Sequence, residues 1–225
     1  MKGKHQFHLD NGEEVTGPIE ETIAGPEWKL VIDGTADAGQ KLPKYHNGEI
    51  IRYYVTEIGS DDAAYVQTDE MGSRLEGKAA EVLAVMDDQT GVLRADVHNM
   101  PLTRLVVNKT WANDPAGRHG GVNAVDVTLL KNGADYLSHE IRVGEDGKWT
   151  YAFEDLPAYE VRKDESGSII AEEIVYAVRE DTKLTDYNNG KAPQIVNNGD
   201  GSVTIINTLD RLDLRIEKKW LADNE

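Results

Sequence analysis

The chain has 225 residues, no cysteine, and 41 acidic against 24 basic residues, giving a formal net charge of −17. That length allows one or two domains, the charge opposes binding to nucleic acid or anionic membrane, and the lack of thiols excludes disulfides and thiolate metal sites. No stretch approaches the roughly 20 apolar residues of a membrane span, and neither an apolar signal-peptide core near Met1 nor a sorting signal at the other end can be read.

The first run, KHQFHLDNG (4–12), is a polar strand pattern closed by an Asn-Gly turn signal. His5 and His8 are three apart, so on a strand they point to opposite faces, which speaks against a shared metal. Next come WKLVIDGTADAGQKLPKY (28–45) and IIRYYVTE (50–57), the second ending in Glu57. The acidic pairs Asp61–Asp62, Asp69–Glu70 and Asp87–Asp88 lack the D-x-D-x-D-G ligand spacing of a calcium loop and read as turns. EGKAAEVLAVM (76–86) is rich in helix formers, although a strand leading into the DDQTG turn is the preferred reading. LRADVHNMP (93–101) carries Asn99.

Three later runs alternate strictly and end on a polar residue. Leu105, Val107, Lys109 and Trp111 lie two apart, as do Ile174, Tyr176, Val178 and Glu180, and Val203, Ile205 and Asn207. Residues two apart on a strand share a face. An amine, a carboxyl and a carboxamide are therefore aimed into apolar surroundings, where a lone charge is costly. A Lys or a Glu in a strand is usually solvated; three polar residues on core parity reverse that expectation.

The pattern also repeats. LVVNKTW (105–111) recurs as LRIEKKW (214–220), IVYAVRE (174–180) echoes IIRYYVTE, and VTIINTL (203–209) echoes LRADVHNMP, aligning Glu180 with Glu57 and Asn207 with Asn99. Short strands separated by Asn-Gly, Glu-Asp-Gly and Gly-Asp-Gly turns predict an all-β chain of tandem sandwich domains. The repeat divides it into 1–101, which has no Lys strand ahead of its Asn-Gly hairpin, a full copy over 102–210, and a solitary Lys strand with Lys218 in 211–225. Two explanations stand: a fragment cut out of phase from a tandem array, or donation of the 211–225 strand to domain one of a neighbouring molecule, which would propagate head to tail.

The series KTW…LLKNG…WTYAFEDLPAY…IVYAVRE…TIINT resembles the Cna protein B-type domain of Gram-positive surface adhesins and pilins. The resemblance implies an Ig-like sandwich serving as a stalk or shaft module, stabilised by an intramolecular Lys–Asn isopeptide bond with a catalytic acid. Lys109 matches the family lysine, Glu180 the acid and Asn207 the asparagine; Glu57 and Asn99 are the matching positions in domain one, with Lys218 available for a second bond between molecules. Glu180 would polarise the Asn207 carbonyl, relay the proton of the attacking amine and help ammonia leave. This is a single-turnover reaction, not enzyme activity, and it requires no cofactor or metal. The implied partners are adjoining domains of the same cell-wall-attached, extracellular protein, and possible partners include further copies and host extracellular matrix. A ligand-binding adhesin module contacting matrix or glycan is the alternative; its mark would be an aromatic-rich insertion or an apolar surface patch. Trp111 and Trp149 suit core packing better than sugar stacking. Ser138–His139 lacks a third catalytic group, and the glycine spacings lack the Lys-Ser/Thr of a phosphate loop.

Overall fold

The computed structural model describes residues 4–10, 19–24, 42–60, 64–87, 89–115, 117–212 and 214–217. In chain order the strands are β1 (Lys4–Asp10), β2 (Ile19–Ala24), β3 (Tyr45–His46), β4 (Glu49–Ile50), β5 (Tyr54–Ser60), β6 (Tyr65–Thr68), β7 (Val82–Leu83), β8 (Val85–Met86) and β9 (Leu93–Arg94). They continue with β10 (His98–Ala112), β11 (Ala124–Lys131), β12 (Ala134–Arg142), β13 (Trp149–Pro157), β14 (Tyr159–Lys163) and β15 (Ile169–Glu173). The last three are β16 (Tyr176–Glu180), β17 (Gln194–Asn197) and β18 (Ser202–Thr208). Among the described residues the only helical elements are three short 3₁₀ turns, at Gly77–Ala80, His119–Gly121 and Asn188–Gly190. The fold is all-β. The run 76–86 is divided between the first of these turns and strands β7 and β8, so its helix formers extend no α-helix.

Two compact units form, Met1–Thr103 with Asp155–Ile174, and Arg104–Glu154 with Val175–Glu225. In the first unit a sheet runs β2-β1-β5-β7, and β6 pairs antiparallel with His98–Pro101 at the start of β10. Tyr53 and Met100 are buried there. The hairpin β14–β15, which the repeat assigns to 102–210, clusters with this unit: the Ala158 N–H donates to the Pro101 carbonyl, and Lys163 pairs with Glu70 at 2.8 Å. A Cβ at Gly72, whose φ is +81°, would come within 2.9 Å of the Met100 methyl and 3.1 Å of Val161, so this turn needs glycine both for its backbone and for the closeness of its neighbours.

The second unit has a sheet ordered β13-β10-β18-β17 and another ordered β12-β11-β16. β11 and β12 are joined by Asn132-Gly133, with φ of 51° and 84°, the double left-handed turn that Asn-Gly favours in a two-residue hairpin. Alternation drives the packing. Val125, Val127 and Leu129 of β11, Ile141 of β12 and Val178 of β16 are buried, as are Leu105 and Val107 of β10, Phe153 of β13, and Val203 and Ile205 of β18. At roughly 25 cal/mol per Å² of apolar surface withdrawn from water, this core is the main stabilising term of the unit. Its first and last core strands, β10 and β18, run parallel and side by side, with Val107 opposite Val203, Lys109 opposite Ile205 and Trp111 opposite Asn207.

Candidate functional site

The β10–β18 register fixes two of the three polar residues. Lys109 and Asn207 sit on neighbouring strands, on the parity of Val107 and Ile205, and both are buried. Glu180 ends β16 opposite Val127, so it shares the inward face of the other sheet. The side chains meet across the sandwich interior. Lys109 Nζ lies 3.8 Å from Glu180 Oε2, with the two side chains 0% and 1% exposed. Asn207 Nδ2 donates to Glu180 Oε1 at 2.7 Å. One carboxyl therefore touches the amine through one oxygen and the carboxamide through the other.

Burial governs the electrostatics. Loss of hydration lowers the Lys109 pKa from the ordinary lysine value to about 8, with the Glu180 charge opposing the fall. Burial likewise raises Glu180, against the opposing effects of Lys109 and of the hydrogen bond from Asn207. Each group is moved towards its neutral form. The ammonium keeps two compensations: Nζ donates to the Thr110 carbonyl at 2.9 Å, and it stands 3.9 Å from the centroid of the Trp111 ring. Trp111 packs in turn against His119, Trp149 and Tyr187, with ring centroids 5.1–5.5 Å away. These rings hold in place the one aromatic face that meets the amine.

The Asn207 amide is held at both ends, and one backbone N–H decides which way it points. The Thr208 N–H donates to Asn188 Oδ1 at 2.8 Å, so the other end of the Asn188 amide is Nδ2, which donates to Asn207 Oδ1 at 2.8 Å. The nitrogen of Asn207 then faces Glu180. The family resemblance implies Glu180 on the carbonyl; in the structure the carbonyl meets Asn188, and Glu180 Oε1 meets the amide nitrogen. The reason is the 3₁₀ turn Asn188–Gly190, whose three residues have φ between 52° and 68°, a left-handed conformation that Asn and Gly adopt most readily. Asp210 Oδ1 accepts from the Asn189 N–H at 2.7 Å, and the neighbouring Tyr187 hydroxyl donates to Asp114 Oδ2 at 2.8 Å. Asp114 also accepts from the backbone N–H groups of Arg118 and His119. Asn188, Tyr187 and Asp114 were missed in the sequence. The available signal was the Tyr-Asn-Asn-Gly string between the Glu and Asn strands, which marks a turn without revealing where its side-chain amide points.

Of the other positions named from the sequence, Glu57 and Asn99 belong to the first unit. Glu57 is half-buried on β5, and Asn99 is half-buried opposite Gln67 where β10 begins. Lys218 lies outside the described residues, as do Asp61, Asp62 and Asp88. Asp69 and Asp87 each accept two backbone N–H groups of their own turns, from Met71 and Ser73 and from Gln89 and Thr90. Among the described residues no helix is long and apolar enough to cross a membrane.

Among solved structures, the chain is similar to a single B repeat unit (B1) of the collagen-binding surface protein Cna of Staphylococcus aureus, with 21% identity, 92% of this chain and 88% of that one covered, and a TM-score of 0.37. A two-repeat unit (B1B2) of the same protein aligns at 18% identity over 92% of this chain and 44% of its own, with a TM-score of 0.35. The pilus adhesin SpaC from Lactobacillus rhamnosus GG aligns at 14% identity over 57% of this chain and 15% of its own, also at 0.35. No curated protein matches the chain. The family model of the Cna protein B-type domain matches residues 105–208, which include Lys109, Glu180, Asn188 and Asn207. Over residues 105–208 the chain is thus matched to the Cna protein B-type domain, the family its motifs resemble.

Proposed function

We propose that the protein is a structural stalk or shaft module of a bacterial surface adhesin or pilus, made rigid by a self-formed Lys109–Asn207 isopeptide bond that Glu180 promotes. The observation that carries this reading is the dry contact of amine, carboxyl and carboxamide between the first and last core strands of the second unit. A solvated lysine is protonated near neutral pH and does not attack an amide; here burial brings the neutral amine within reach. Nζ attacks Cγ of Asn207 while the neutral Glu180 carboxyl gives a proton to Nδ2 and takes one from Nζ. The Nζ–Cγ bond forms, the Cγ–Nδ2 bond breaks, ammonia leaves, and Glu180 ends as the acid it began. Holding the reactants in place can supply roughly 7–11 kcal/mol of the barrier, enough to let an inert amide react once. Turnover is neither needed nor possible, because the product is the protein itself.

Intact mass tests the proposal. The folded wild-type chain is expected to be lighter than its sequence by one ammonia, while Lys109→Ala, Asn207→Ala and Glu180→Ala keep the full mass. A Glu180→Ala protein that still loses ammonia would remove the acid from the scheme. Glu57, Asn99 and Lys218 form a second set by their repeat positions, and we read 211–225 as a strand that Lys218 would join covalently to Asn99 of another copy. What favours that reading is the run Leu212, Leu214 and Ile216, apolar at every second position and 98%, 84% and 82% exposed.

A further inference from the structure

We propose that Asn188 is a second catalytic residue of this reaction, the donor that stabilises the oxyanion on Asn207; the inference rests on the isopeptide chemistry proposed above. When Nζ adds to Cγ, the carbonyl π-electrons move onto Oδ1, which becomes negative in the tetrahedral intermediate. Asn188 Nδ2 already donates to that oxygen at 2.8 Å, the distance at which a fixed donor acts on developing charge. Glu180 Oε1 is engaged at the other end of the amide, with Nδ2, the leaving nitrogen. The two ends of the amide are thereby divided between two residues, with the acid at the nitrogen and the amide donor at the oxygen. When ammonia departs, the electrons on Oδ1 return to remake the carbonyl, and Asn188 keeps its own protons throughout.

The donor is fixed before the reaction starts. Thr208 N–H holds Asn188 Oδ1, the left-handed turn is tied to Asp210 through Asn189, and Tyr187 beside it is held by Asp114. Little reorganisation is then required as charge appears, and that is the condition under which such a donor contributes most. Thr208 follows Asn207 directly, so the donor is anchored to the backbone of the strand that presents the reacting amide.

Asn188→Asp is the informative variant. It keeps the acceptor for Thr208 N–H and tolerates the left-handed backbone, yet its carboxylate gives Oδ1 no donor. Chain recovered unfolded in denaturant is refolded by dilution, and ammonia loss is followed by intact mass over time. The expected result is a rate lowered about a hundredfold or more, the loss one such donor causes, with near-ultraviolet circular dichroism showing native packing. Asn188→Gly, which suits the turn and also lacks the donor, decides the matter should the aspartate variant misfold, and is expected to be slowed similarly. Either folded variant reacting at the wild-type rate overturns the role of Asn188 and leaves the isopeptide reading intact. A wild-type chain that never loses ammonia would instead defeat the underlying reading.

Discussion

In the proposed reaction Lys109 and Glu180 share one mobile proton, and that sets an unusual pH dependence. The ion pair and the neutral pair differ only in where this proton sits, so their ratio is independent of pH as long as the pair as a whole keeps one proton. That holds from the raised pKa of Glu180 up to about 8, where Lys109 loses its proton. Above about 8 the amine is free but the carboxyl has no proton to give to the departing nitrogen; below the Glu180 pKa the amine is held as ammonium. The rate of ammonia loss after refolding is therefore expected to be bell-shaped, falling by about tenfold per pH unit on the alkaline side. A rate that keeps climbing to pH 10 would show that the free amine alone limits the reaction and that Glu180 is no acid in it. The expectation is specific to a coupled pair: an isolated lysine nucleophile would gain with every unit of pH up to its pKa.

The strands β10 and β18 would turn the proposed chemistry into mechanics. Because they run parallel and adjacent, a bond from Lys109 to Asn207 ties the start of the matched domain to its end and closes a loop of 98 residues, from 109 to 207. In the chain-entropy view a loop of that size is worth about 4–5 kcal/mol. Measuring it needs a reference without a stranded charge, since removing one partner of a buried pair is itself costly while removing both is often neutral. Lys109→Met with Glu180→Gln meets that need: methionine fills the lysine's volume, and glutamine still accepts from Asn207. Its urea midpoint is expected to fall by the equivalent of about 4–5 kcal/mol, whereas equal midpoints would mean the strands are not covalently joined. The parity of Lys109, Glu180 and Asn207 was legible in the sequence, because period-two alternation names the buried face whatever the strand order. So was the Asn132-Gly133 hairpin, because that dipeptide favours one backbone turn. Asn188 was not legible: its role depends on a left-handed turn returning a side chain to a strand 19 residues later, and no local pattern encodes that distance. The placement of β14–β15 with the first unit was hidden for a different reason, since eight of its ten strand residues are exposed and none is buried, so no core-facing pattern says which neighbour it joins.

Over the full chain, net charge and the alternating apolar residues Leu212, Leu214 and Ile216 act in opposite directions. Scattered exposed leucines are ordinary. Leu212, Leu214 and Ile216 are instead alternate residues that would share one face of an extended strand, the form in which a segment adds to an open sheet edge. A net charge of −17 on every copy opposes that association. Salt separates the two effects: between ~0.01 M and ~1 M the screening length falls from ~30 Å to ~3 Å, while apolar burial is not screened. Light scattering on size-exclusion peaks is expected to show larger species as salt rises, and Leu214→Asp with Ile216→Asp should hold the protein monomeric throughout. If Lys218 then bonds to Asn99 of the next copy, a ladder persists on denaturing gels and disappears in Lys218→Ala, while the salt-driven association of the folded protein remains. A wild-type protein that stays monomeric at ~1 M salt and gives a single denatured band would leave this strand with no partner among its own copies.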